Sequence, residues 1–90
     1  MRERDIEKYL KSEIESLGGM CIKWTGQPGV PDRICLLPGG RVLFVEVKSP
    51  KGILRPIQRI MIDRINDLRC EALVVRSLED VDILIGSLMV

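Results

Sequence analysis

Asp32, Glu46 and Lys48 are the residues whose types and spacing could do chemistry in this chain. They lie in Gly29-Val30-Pro31-Asp32 and Val45-Glu46-Val47-Lys48. Side chains alternate along an extended strand, so Glu46 and Lys48 project from one face while Val45 and Val47 point to the other. The expectation is a charged face backed by an apolar one. Two carboxylates beside an ammonium suit a hard divalent cation such as Mg²⁺, which prefers carboxylate oxygens and keeps waters that the ammonium can orient. Phosphodiester hydrolysis uses such a set.

Antiparallel pairing is what brings these residues together. Asp32-Arg33-Ile34-Cys35-Leu36-Leu37 reads as one strand, Pro38-Gly39-Gly40 as a hairpin turn and residues 41–48 as the returning strand. The return places the end carrying Glu46 and Lys48 beside the start carrying Asp32. Before the hairpin, residues 3–17 form an amphipathic helix with Ile6, Tyr9, Leu10, Ile14 and Leu17 on one stripe, stopped by Gly18-Gly19. Glu7 is one heptad before Ile14, within roughly 20° of it, at the margin of that stripe. Residues 20–24 read as a strand, and Thr25-Gly26-Gln27-Pro28-Gly29 as a loop of turn residues. After Ser49-Pro50-Lys51-Gly52, a second helix opens with Pro56 in its first turn, its expected inner stripe being Ile57, Ile60, Met61, Ile65 and Leu68. Residues 72–76 form a fourth strand, parallel to the third through that helix. Ser77 caps a last helix with Asp80 at its third position and Val81, Leu84, Ile85 and Leu88 facing inward. The order αβββαβα predicts an α/β fold, a four-stranded mixed sheet flanked by helices.

Ninety residues make one domain with a modest core. The absence of histidine removes Ser-His triads, histidine bases and histidine-zinc sites together, leaving Asp, Glu, Lys and water for any catalysis. Cys21, Cys35 and Cys70 are odd in number and lack CxxC spacing, so buried reduced thiols are expected rather than disulfides or zinc. No stretch approaches the roughly 20 apolar residues of a membrane span, and the charged Met1-Arg2-Glu3-Arg4-Asp5 does not read as a signal peptide. The expected location is the cytoplasm of a bacterium or of a virus-infected host cell. Net charge is only +1, but its distribution is uneven: Lys48, Lys51, Arg55 and Arg59 surround the candidate site, whereas Glu71, Glu79, Asp80 and Asp82 follow it.

Glu-x-Lys alone recurs by chance. Gly-Val-Pro-Asp, thirteen residues, Glu-Val-Lys, and Pro-Ile-Gln at the next helix together resemble the PD-(D/E)XK nuclease superfamily. More narrowly, residues 1–90 resemble a single stand-alone, virus-type VRR-NUC domain, similar to Holliday-junction resolvases. The resemblance implies that Asp32, Glu46 and the Val47 backbone carbonyl hold Mg²⁺ or Mn²⁺, and that Lys48 positions or activates the attacking water. It also implies that Gln58 supports the site and that Glu7 is the first-helix acid, available to a second metal. The implied reaction is hydrolysis of a DNA phosphodiester.

Lys51, Arg55 and Arg59, with Lys23 at the end of the first strand, are candidate phosphate contacts, which position DNA without reading sequence. Trp24 suits core packing better than base stacking in a chain so poor in aromatic residues. So small a surface favours reading DNA shape, such as a junction or branch, over reading bases. Symmetric junction cleavage then calls for a homodimer, with Ile62, Ile83 and Met89 as candidate interface residues. Two other readings stay open: a non-catalytic nucleic-acid-binding module of the same fold, and an RNA-directed endonuclease.

Overall fold

Ile6, Leu10 and Ile14 recur every four residues, and all three are fully buried on one stripe of helix α1 (Glu3–Ser16). A computed structural model describes residues 1–89 of the chain. The elements that follow α1 are β1 (Met20–Lys23), β2 (Arg33–Leu36), β3 (Val42–Val47), α2 (Pro56–Asp67), β4 (Glu71–Val75) and α3 (Leu78–Leu88). The αβββαβα order is therefore the observed one. α1 ends where Gly18 takes a φ of 85°, its N–H reaching Glu15 O while Gly19 N–H reaches Ile14 O. That pair of bonds satisfies carbonyls the helix end leaves open.

The sheet runs β1-β2-β3-β4, antiparallel across the first two pairings and parallel between β3 and β4. Parallel neighbours need a long crossover, and α2 supplies it. One sheet face carries the main core: Leu43, Val45 and Val47 of β3 and Val75 of β4 pack with α1 and with Val81 and Ile85 of α3. Each fully buried aliphatic side chain there contributes on the order of 1.5–3 kcal/mol. Ser77 caps α3 by accepting from Asp80 N–H at 3.0 Å, and Asp80 Oδ2 accepts from Arg76 N–H, one residue before the cap.

The opposite face, covered by α2, is less uniformly charged than the alternation of β3 alone predicts. Trp24, Phe44, Ile62, Ile65 and Ala72 form a second apolar cluster there, with the Trp24 and Phe44 rings tilted at 48° and 5.4 Å apart. Trp24 is thus a packing residue. α2 itself is rotated about a quarter turn from the expected orientation. Its buried residues are Gln58, Ile62 and Ile65, whereas Ile57, Ile60 and Leu68 are exposed. The polar Gln58 belongs to the inner stripe, which disguises that stripe and promotes the outer one. Ile62, expected at an interface, is consequently core, while Ile83 and Met89 are exposed.

Candidate active site

Among the described residues, the buried polar or charged side chains are Glu46 and Gln58, at 2% and 7% exposure. They touch. Gln58 is the third residue of α2, and its side-chain carbonyl accepts from Arg55 N–H at 2.9 Å. A backbone N–H can only donate, so the amide oxygen must face it and the NH₂ must face away. That NH₂ donates to Glu46 Oε2 at 3.1 Å. One side chain both caps the helix and supports the site.

Lys48 Nζ lies 3.5 Å from the same Glu46 Oε2. The β2–β3 register pairs Arg33 with Val45 and Ile34 with Phe44, and one step further sets Asp32 opposite Glu46 on the same face. Asp32 Oδ2 accepts from Val47 N–H at 2.8 Å, so its carboxylate is fixed to the strand that carries Glu46. Each acid has one oxygen anchored. Glu46 Oε1, fully buried, has no hydrogen-bond partner.

Burial, and then the charge of Asp32, push the Glu46 carboxyl up from 4.5 to about 7, against the pull of Lys48. A buried acid that is costly to ionise, with one orphaned oxygen and a second carboxylate beside it, fits an oxygen-ligated hard cation. Among the described residues no group of three or more cysteines, aspartates and glutamates converges on one point. A cation held by two carboxylates would therefore retain several waters, as Mg²⁺ ordinarily does.

Glu7 does not join this pair. Its Oε2 accepts from Arg33 Nε at 2.6 Å and lies 3.9 Å from Lys23 Nζ. Arg33 and Lys23 pair across β1 and β2 in line with the buried Cys21–Cys35 pair, hence on the α1 face of the sheet. Lys23 accordingly faces away from Lys48 and beside an acid. Lys51, Arg55 and Arg59 are exposed around the start of α2. Two further arginines, Arg33 and Arg76, brace the surrounding segments. Arg33 also donates to Cys21 O, and the Arg76 guanidinium donates to Gly52 O, tying the 48–55 connection to the end of β4. Nothing in composition marks either arginine; Arg33 follows the motif residue Asp32, and Arg76 follows Val75, the parallel partner of Val47.

The family model for the VRR-NUC domain matches residues 3–79. The chain belongs to the VRR-NUC family. A solved VRR-NUC domain superposes on 93% of the chain and 94% of its own length with a TM-score of 0.86 and 34% identity. A phage protein named "Putative nuclease p44", from Acyrthosiphon pisum secondary endosymbiont phage 1, is 45% identical over 60 residues, 64% of each chain. The alignment thus spans a little under two thirds of that relative. This VRR-NUC domain has the fold of a nuclease, and no helix in its described residues is long and apolar enough to cross a membrane.

Gln58→Ala is expected to leave Glu46 Oε2 with Lys48 alone and to free the Arg55 N–H at the helix start. Such supporting bonds are worth about 10–100-fold in metal affinity. Isothermal titration with Mn²⁺ checks this, and unchanged affinity would remove Gln58 from the site.

Proposed function

We propose that this VRR-NUC domain is a Mg²⁺- or Mn²⁺-dependent, structure-selective DNA endonuclease acting in the cytoplasm of a bacterium or an infected cell. The observation that carries this reading is the buried, unpartnered Glu46 Oε1 beside Asp32. Asp32, Glu46 and the Val47 carbonyl would hold the ion. When bound, it supplies Lewis acidity to the scissile phosphate and eases deprotonation of the attacking water. Lys48, mostly buried and next to Glu46, presents a fixed ammonium that orients the water and offsets developing phosphate charge. Gln58 holds Glu46 in place from α2. Water adds across one phosphodiester bond to give an alcohol and a phosphate monoester, with no covalent enzyme intermediate.

The decisive experiment incubates wild type and Glu46→Ala with duplex, flap, four-way-junction and RNA substrates in Mg²⁺, Mn²⁺ or EDTA. Branched DNA should be cut in the first two conditions by wild type only. Cleavage that survives EDTA or Glu46→Ala would overturn the mechanism, and preference for RNA would reassign the substrate.

Cutting both strands of a junction requires two sites, supplied by a two-fold homodimer. The surface best suited to it is the outer stripe of α2, where exposed Ile57, Ile60 and Leu68 run among Arg59, Asp63, Arg64 and Asp67. Mixed charges along one stripe can pair with their own symmetry copies. Ile60→Asp should convert a sedimenting dimer to a monomer with an unchanged circular dichroism spectrum; wild type sedimenting as a monomer where it cleaves junctions would end the dimer proposal.

A further inference from the structure

Ile53 is the most exposed large apolar side chain of the described residues, at 84%. A single exposed isoleucine is ordinary on a protein surface. Its surroundings are not. The chain on either side is anchored: Gly52 N–H donates to Ser49 O at 2.9 Å, Gly52 O accepts from Arg76, and Leu54 packs into the cluster beneath α2. Ile53 is therefore held outward between two fixed neighbours. The same connection begins at Lys48 and ends at the Arg55–Gln58 bond, so it joins two groups of the site. Lys51 and Arg55, both exposed, flank Ile53 at two residues on each side.

Cations at this spacing favour a polyanion, but an apolar side chain gains little from the charged phosphates that line a continuous duplex. It gains where stacking is interrupted. At a branch point the face of a terminal base pair is exposed, and isoleucine is among the side chains that wedge against bases elsewhere. We propose that Ile53 packs on the open base-pair face at a DNA branch while Lys51 and Arg55 hold flanking phosphates, which makes Ile53 a specificity-determining residue. This rests on the nuclease reading above and specifies how that site would choose its substrate.

The test compares wild type, Ile53→Ala and Ile53→Leu on a four-way junction carrying 2-aminopurine at the branch and on linear duplex of equal length. Binding and fluorescence are read in EDTA, cleavage in Mn²⁺. Ile53→Ala should lose about tenfold in junction affinity, the scale of burying the apolar surface it removes, with duplex affinity unchanged, and should lose the 2-aminopurine response; Ile53→Leu should keep both. An unchanged junction-to-duplex ratio in Ile53→Ala overturns the wedge. So does a shift of Ile53→Ala from dimer to monomer in sedimentation, which would assign Ile53 to a contact between copies of the chain. Failure of wild type to cleave any substrate would count against the nuclease reading instead, while the binding and fluorescence measurements in EDTA still decide the wedge.

Discussion

Glu46→Gln should give a protein that is more stable than wild type and cleaves far more slowly. In the folded chain the Glu46 carboxyl sits near 7 instead of 4.5, raised mainly by burial and then by Asp32. A raised carboxylate pKa means that the folded state binds the proton more tightly than the unfolded state does. The cost of ionising Glu46 is absent below about pH 4.5, grows as pH rises, and is complete above about 7. A displacement of that size corresponds to at most about 3 kcal/mol. Glutamine has nearly the same shape and no charge, and its carbonyl can accept from Gln58 and Lys48 as Oε2 does. Thermal unfolding in EDTA should therefore show Glu46→Gln above wild type at pH 8, by about 4–8 °C for each kcal/mol recovered, with the gap closing toward pH 4.5. A divalent cation should raise the wild-type midpoint alone, and more at pH 8 than at pH 5, where the proton competes for Glu46. Cleavage by the variant should fall about a thousandfold or more, since one of the two carboxylates proposed to hold the cation is gone. Parallel pH curves for the two proteins would sink the assignment of Glu46 as a strained, ion-accepting carboxylate.

Much of this arrangement was legible because strand alternation and a tight hairpin are strongly patterned. Asp32, Glu46 and Lys48 share a face for reasons of period and register that need no coordinates, and α1 declares itself through Ile6, Leu10 and Ile14. The orientation of α2 was hidden for a physical reason. Its buried stripe contains Gln58, so the more apolar stripe, Ile57-Ile60-Leu68, is the one left outside. Periodicity locates a core by its hydrophobicity and misjudges a helix that turns a polar group inward to serve a site. Glu7 stands apart for a different reason. Its position at the margin of α1 follows from the helical period, but which partner claims a marginal acid depends on a neighbouring strand, and Arg33 takes it on the α1 face.

Gly29→Ala should damage the site from a distance, and the contrast with Gly26→Ala isolates the cause. Both glycines have positive φ, 83° at Gly29 and 113° at Gly26, so alanine strains the backbone at either position. A Cβ at Gly26 would meet nothing within 4 Å, whereas one at Gly29 would fall 2.7 Å from Ile57 O and 2.9 Å from Ile57 Cγ1. The first overlap is with backbone and has no rotamer to relieve it. Gly26→Ala is expected to cost about 1–2 kcal/mol from conformation alone and to cleave normally. Gly29→Ala adds roughly 1–3 kcal/mol for forcing two packed segments apart. Those segments are the loop three residues before Asp32 and the helix turn one residue before Gln58. Separating them moves an anchored carboxylate away from the amide that holds Glu46, and a displacement of about 1 Å at such a site costs on the order of a hundredfold in rate. Urea unfolding and kcat/KM, measured under conditions where each variant is folded, read the two effects separately. Gly29→Ala cleaving as fast as Gly26→Ala would mean that the contact with α2 stabilises the fold without aligning Asp32 and Gln58.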